Sequence, residues 1–263
     1  MLKADYKTES RKDFTSIISE YTFFQEHSTE HKSILCQMKT KFKSADYLKK
    51  NGIRILDFGG GDGELLKDLY KQCNLAEFSP FLYLLEPVEK YQNEARDKLI
   101  KEGYEGLKIL SKIEECEDNS LDLILVNHVL YYVKDLNETV TKLLNKLNSN
   151  GKLWIVIGND KNTLIKLWKE IFVRFMEDSP YFLKEDLEKV LTGKEVCILE
   201  SEVNSIFEFE NTVENRGKMM RFLLGKYATL IKDEVIRKMT ESYEKGNHLK
   251  LPLVDSFISI GKT

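Results

Sequence analysis

Residues 53–64 read I-R-I-L-D-F-G-G-G-D-G-E, and no other stretch restricts the fold as strongly. Ile53, Ile55 and Leu56 form an apolar run that ends in Asp57. Glycines follow at 59, 60, 61 and 63, and a helix-like segment opens at Glu64. A strand that closes on an acid, turns through glycines and enters a helix is the arrangement by which α/β proteins cradle nucleotide-like ligands. Gly59, Gly61 and Gly63 would admit positive φ and a close approach of ligand to backbone.

The spacing also bears on the ligand. D-x-G-x-G-x-G, with Asp57, Gly59, Gly61 and Gly63, points to S-adenosylmethionine (SAM) rather than a dinucleotide. Asp57 suits the positively charged methionine end of SAM, through its ammonium group. Glu86 stands 23 residues after Gly63, at the end of the next apolar run, where an acid can accept both ribose hydroxyls. An NAD fingerprint wants Gly or Ala at its sixth position. Counted from Gly59 or Gly61 that position is Glu64 or Leu66, so NAD fits poorly. Contact with the adenine is expected from Ser111, Lys112 and Ile113, on topology alone. Asn127 completes the expected cofactor-binding set. No metal is expected: His27 and His31 stand at i, i+4, but the H-E-x-x-H pattern and a third ligand are missing.

Apolar runs at Ile53–Phe58, Phe81–Leu85, Leu107–Leu110, Leu121–Val126 and Lys152–Ile157 read as five strands, the last preceded by an Asn150-Gly151 turn. Helical stretches at about 64–73, 88–102 and 135–148 separate them. Continuous apolar strands alternating with helices mean a parallel sheet covered on both faces, an α/β fold. Residues 11–49 read as helical. Beyond the fifth strand, Thr163–Phe175 and Lys184–Leu191 read as helices, Val196–Phe209 as a strand, Thr212–Met239 as one or two helices and Asp255–Gly261 as a last strand. A single domain over 1–263 is expected, with a helical cap at 1–50, a cofactor core at 51–160 and substrate-side helices and strands at 161–263.

The 40 basic residues are interspersed with 43 acidic ones, for a net charge of −3, and no basic stripe suggests a nucleic-acid partner. Cysteines 36, 73, 116 and 197 form no C-x-x-C. The start lacks the apolar core of a signal peptide, and no apolar run is long enough to span a membrane. A cytoplasmic monomer without a membrane partner is the expectation.

Four further segments stand out, the first two of them much rarer than the glycine loop. They are H-S-T-E-H at 27–31, L-Y-Y-V-K-D at 130–135, K-L-W-K at 166–169 with R-F at 174–175, and S-F-I at 256–258. On these residues the chain resembles the class I SAM-dependent methyltransferases and, more narrowly, the histamine N-methyltransferases, with gaps, over most of its length. The resemblance implies a Rossmann-like fold with a central seven-stranded, mostly parallel sheet, helices on both faces and a helical substrate-binding cap. It implies SAM as cofactor and S-adenosylhomocysteine (SAH) as product. Glu30 matches the family's substrate-binding acid and Tyr132 an aromatic contact. Tyr21, Trp168 and Phe175 fall where the family places an aromatic wall. Where the family carries a glutamine, an asparagine and a second tryptophan, this chain carries His128, Leu253 and Leu164. His128 and Leu253 remain substrate-site positions, and Glu30, His128 and Tyr132 form the expected catalytic set.

The implied reaction moves a methyl group to a nitrogen of a small, histamine-like amine or imidazole. An alkyl ammonium, with a pKa of about 10.4, is protonated at neutral pH, whereas an imidazole, about 6.5, is largely neutral. A carboxylate beside an ammonium holds it charged. Glu30 therefore suits anchoring a cationic tail while a ring nitrogen takes the methyl. The alternatives are an O- or N-methyltransferase of another small metabolite, or a non-catalytic SAM-binding module. Nucleic-acid methylation is disfavoured, because residues 127–130 read N-H-V-L rather than Asn/Asp-Pro-Pro-aromatic.

Overall fold

A computed structural model describes residues 14–175 and 181–263. The chain forms two compact units. One gathers the residues up to Ser33, Gly158–Phe182 and Val203–Asp255. The other gathers Ile34–Ile157, Leu183–Glu202 and Ser256–Thr263.

The second unit is built around the alternation that the apolar runs predict. Its strands are β1 (Arg54–Phe58), β2 (Phe81–Leu85), β3 (Lys108–Leu110), β4 (Leu121–Asn127) and β5 (Leu147–Gly158). Between them run α3 (Glu64–Gln72), α4 (Glu89–Lys101) and α5 (Leu136–Lys146), after α1 (Ile18–His27) and α2 (Glu30–Lys43) near the start of the chain. The sheet order is β3-β2-β1-β4-β5-β8-β6, with β6 at Val196–Glu210 and β8 at His248–Lys262. A two-residue β7 (Glu244–Lys245) pairs with β8 off this path, so the expected seven strands are joined by an eighth, short one. The β1·β2, β1·β4, β2·β3 and β4·β5 pairs are parallel and β7·β8 is antiparallel. Leu121–Val126 is buried at every position, as a central strand covered on both faces must be.

The Asn150-Gly151 turn lies inside β5 instead of ahead of it. Leu121 pairs with Leu147 and Leu123 with Lys152, so the residues between are a bulge in a longer strand. Asp135, the last residue of L-Y-Y-V-K-D, caps α5 by accepting from the Glu138 N–H at 2.8 Å.

The other unit contains α1, α6 (Thr163–Phe175), α8 (Val213–Leu224) and α9 (Asp233–Thr240), while α7 (Lys184–Leu191) belongs to the sheet unit. The helical reading of 11–49 is interrupted at Ser28, which bridges to Phe207 of β6. Thr29 reinforces the break: its N–H donates to Ile206 O at 2.9 Å, and its hydroxyl accepts from the Ile206 N–H at 3.0 Å. Thr212–Met239 divides into two helices at Gly225, whose φ is +57°. The last strand starts seven residues earlier than expected, at His248, and buries alternate residues Leu249, Leu251 and Leu253. Phe23, Phe24, Phe207, Phe209 and Phe222 form the aromatic core of this unit, with Phe24 stacked on Phe222 at 4.4 Å.

Candidate cofactor and substrate sites

The glycine loop leaves β1 directly over its own acid. A Cβ on Gly60 would stand 2.3 Å from Asp57 Oδ2, so only glycine lets the chain cross there. Gly59 (φ +69°) is confined by Val129, whose Cγ2 would lie 2.5 Å from an added Cβ. Gly63 (φ +71°) admits α4 so closely that an added Cβ would meet the Ala95 Cβ at 2.5 Å. Gly61 (φ +55°) differs: an added Cβ there would meet nothing within 4 Å among the described residues. Two of the predicted glycines thus serve packing, and Gly61 opens onto space that a ligand can take.

Asp57 is 1% exposed, and among the described residues neither of its carboxylate oxygens has a hydrogen-bond partner. Burial pushes its pKa up to about 7, with repulsion from Glu86 and then Asp62 adding to the shift. Glu86 is also buried, and burial raises its pKa against hydrogen bonds from Val88 and Gly61. Its Oε1 accepts from the Val88 N–H at 2.9 Å and its Oε2 from the Gly61 N–H at 3.1 Å. Lysines neutralise the loop's outer acids instead. Lys98 reaches Asp62 at 2.6 Å and Glu64 at 2.8 Å, and Lys67 also pairs with Glu64. Burial alone would raise the Glu64 pKa, but these two lysines hold it at about 2. Among the described residues Asp57 and Glu86 have no ion-pair partner. A buried carboxylate without hydrogen bonds is costly to keep charged, and a cationic or hydroxyl-bearing ligand relieves that cost. The residues present therefore fit SAM: Asp57 suits an ammonium and Glu86 a ribose.

The neighbouring strand ends extend the same row. Phe58 pairs with Leu85 and Leu85 with Leu110, which sets Glu86 and Ser111 at adjacent carboxyl ends. Ser111 and Lys112 are exposed and Ile113 is buried. On the other side Asp57 pairs with Leu125, and Asn127 closes β4 with a buried Oδ1 that has no hydrogen-bond partner among the described residues. His128 follows at φ +53°, a left-handed conformation that few non-glycine residues adopt and that often marks a functional turn. Its N–H donates to Val156 O at 3.0 Å, and its Nδ1 is 3.1 Å from the Tyr131 hydroxyl. Tyr131 is buried and Tyr132 half-buried, with their rings 5.6 Å apart. Neighbours in sequence divide between core and surface here.

In the other unit H-S-T-E-H makes the break between α1 and α2, and Glu30 is the first residue of α2. The Glu30 N–H donates to Ser28 Oγ at 3.0 Å. His27 turns its Nδ1 inward to donate to Phe23 O at 2.9 Å. Tyr21 is half-buried and stacks on Phe222 at 6.3 Å. Trp168 is buried against Tyr181 at 4.5 Å and Phe172 at 5.9 Å. Leu164 and Leu253 are buried in the core. Phe175 closes α6, and its side chain lies outside the described residues.

Sequence reasoning missed Asp255. It is fully buried on β8, two residues after Leu253 and so on the same strand face. One of its carboxylate oxygens lies within 4.8 Å of one from Glu30, and its Oδ1 accepts from Asn162 Nδ2 at 2.9 Å. Asn162 Oδ1 also accepts from the Leu164 N–H at 2.9 Å in the first turn of α6. The available signal was an acid inside an apolar strand, since fully buried Asp is rare unless paired.

Residues 31–192 match the family described as methyltransferase domain. The chain is 25% identical over 202 residues to histamine N-methyltransferase of Bos taurus, covering 68% of each protein. Among solved structures it is similar to the YcgJ protein of Bacillus subtilis, with a TM-score of 0.59 and 14% identity, covering 89% of this chain and 99% of that one. It is also similar to the plantazolicin methyltransferase BpumL in complex with SAH, with a TM-score of 0.55 and 14% identity, covering 98% and 92%. Phosphoethanolamine N-methyltransferase 2 of Haemonchus contortus, in complex with SAM, matches with a TM-score of 0.55 and 16% identity, covering 100% of this chain and 61% of that one.

Proposed function

The chain belongs to the methyltransferase domain family, and on that premise we propose that it moves the methyl group of SAM to a nitrogen of a small amine or imidazole acceptor. The observation that carries the cofactor half is the buried Asp57–Glu86 pair beneath a glycine loop that is open at Gly61. SAM-bound and SAH-bound relatives of the same fold support the same cofactor. SAM, when bound, supplies a sulfonium methyl that is already activated for displacement.

The protein's part is then positioning, which is worth up to about 7–11 kcal/mol in a well-oriented transfer. Asp57 holds the ammonium of the methionine end. Glu86 accepts from the ribose hydroxyls with lone pairs that its bonds to Gly61 and Val88 leave open. The acceptor half rests on the resemblance to histamine N-methyltransferase and on Glu30, which the Ser28–Phe207 and Thr29–Ile206 contacts fix at the head of α2. A carboxylate there holds a substrate ammonium charged, so the methyl goes to a second, neutral nitrogen. His128 and Tyr132, and separately Tyr21, Trp168, Phe175 and Leu253, are proposed acceptor contacts, each to be tested by its own substitution. No helix among the described residues is long and apolar enough to cross a membrane. A monomer working on a small molecule in the cytoplasm completes the proposal.

The test is transfer of labelled methyl from SAM to histamine by the purified chain. Transfer to the imidazole nitrogen supports the full reading. If only other amines, imidazoles or hydroxyl compounds accept methyl, the histamine-like part is overturned. Binding of SAM without transfer to any small acceptor leaves only the SAM-binding module.

A further inference from the structure

The strand ends that carry the proposed cofactor contacts lie side by side. Phe58, Leu85 and Leu110 are in register across β1, β2 and β3. Adjacent strands are about 4.8 Å apart, so Gly59, Glu86 and Ser111, each one residue further on, form a row about two strand spacings long. A nucleoside whose ribose sits at Glu86 reaches Ser111 with its base.

The Ser111 hydroxyl is already committed in one direction. A single oxygen, Glu115 Oε1, accepts from the Ser111 N–H at 3.0 Å, the Ser111 hydroxyl at 2.5 Å and the Lys112 N–H at 3.1 Å. These bonds, led by the Ser111 hydroxyl, hold the Glu115 carboxyl below the usual carboxylate range. An ionised carboxylate has no proton to give, so Ser111 must be the donor, and its lone pairs face away from Glu115. The Ser111 hydroxyl therefore presents its acceptor lone pairs, with the Glu115 carboxylate behind it and the Lys112 side chain exposed beside it. Adenine carries an amino donor at position 6; a 6-oxo purine carries an acceptor there.

We propose that Glu115 is a positioning residue that fixes Ser111 as a hydrogen-bond acceptor, so that the loop selects a 6-amino purine nucleoside over its 6-oxo counterpart. This rests on the cofactor reading above. The bland role for Glu115 is to close the short 3-10 turn Ile113–Glu115. Loss of a purely structural turn would weaken both nucleosides alike, whereas loss of an acceptor narrows the preference between them.

The experiment is titration calorimetry of the full chain with SAH and with S-inosylhomocysteine, its 6-oxo analogue. Wild type should prefer SAH by about tenfold, near the upper end of what one net hydrogen bond is worth. Glu115→Ala and Ser111→Ala should each reduce the preference to below about threefold, mainly through weaker SAH binding. Glu115→Gln keeps an oxygen that accepts from Ser111 and should retain most of the preference. Equal binding of both ligands by wild type, or parallel loss of both in Glu115→Ala, overturns the inference and leaves the cofactor reading standing. Binding of neither ligand by folded wild type overturns both.

Discussion

The backbone N–H of Gly61 donates to the carboxylate of Glu86 at 3.1 Å, which ties the loop after β1 to the acid after β2. Two features separated by 25 residues thereby become one site. The bond orients Glu86 and holds the loop at Gly61, whose Cβ side is open among the described residues.

Removing that carboxylate should weaken the cofactor without unfolding the chain. Hydrogen bonds to a charged group contribute about 1.5–3 kcal/mol, or roughly 10–100-fold in affinity. Glu86→Ala is therefore expected to raise the Kd for SAH into that range in a calorimetric titration, with Glu86→Gln intermediate. An unchanged Kd would remove Glu86 from the site.

The loop glycines should separate into packing and binding roles. Gly63→Ala forces a Cβ against Ala95 at a left-handed position. It should cost at least about 2 kcal/mol of stability, combining αL strain with overpacking. Gly61→Ala has only the strain, about 1–2 kcal/mol, but its methyl enters the open space and should weaken SAH more than it lowers stability. Chemical denaturation and SAH titration of both variants check this; the same ratio of effects in each would contradict it.

Asp57 makes stability and cofactor affinity depend on pH. Burial raises its folded pKa to about 7 from the ordinary 3.8. The folded state keeps a proton that the unfolded chain gives up, so this contribution is full below about pH 4 and is lost as pH rises to about 7. The full shift corresponds to something on the order of 4 kcal/mol. Ligand-free Tm should fall across that window, and Asp57→Asn should flatten the fall. Glu86 acts with the same sign, so some slope should survive in the variant.

Binding an ammonium reverses that preference, because it favours the charged carboxylate. SAH should bind wild type more tightly as pH rises toward 7 and release protons on binding. Calorimetry in buffers of different ionisation enthalpy measures that release. Proton-neutral binding near pH 6.5 would rule out the Asp57–ammonium contact.

Glu30→Gln should raise the KM for a cationic acceptor by about tenfold or more, as loss of a charged hydrogen bond implies, and leave the Kd for SAH unchanged. The Ser28 and Thr29 contacts with β6 do not involve the Glu30 side chain and are kept in the variant. A matched loss of both ligands would make Glu30 structural.

Much of the cofactor half was legible in the chain, because its parts are local. The strand, the glycines and the acid all announce themselves within Ile53–Glu64, and Glu86 marks the end of the next strand. Less was legible where a residue answers to a distant partner. Asp135 in L-Y-Y-V-K-D proved to be a helix cap. Trp168 meets Phe172 one turn away, but also Tyr181, a partner that no local pattern names. Asp255 reads in sequence as the opening of a strand, and only the fold buries it beside Asn162.

The amino-acid sequence by itself determined the alternation of strands and helices, the left-handed glycine turns and the placing of acids at strand ends. Each of these follows from side-chain periodicity and backbone sterics over a few residues. Tertiary structure alone decided that the first helix breaks at Ser28, that β8 begins at His248, and that Gly59 and Gly63 are needed for Val129 and Ala95 while Gly61 stays open. Those outcomes depend on which surfaces meet after the chain has closed on itself, and residues far apart in sequence carry no local pattern that names their partners.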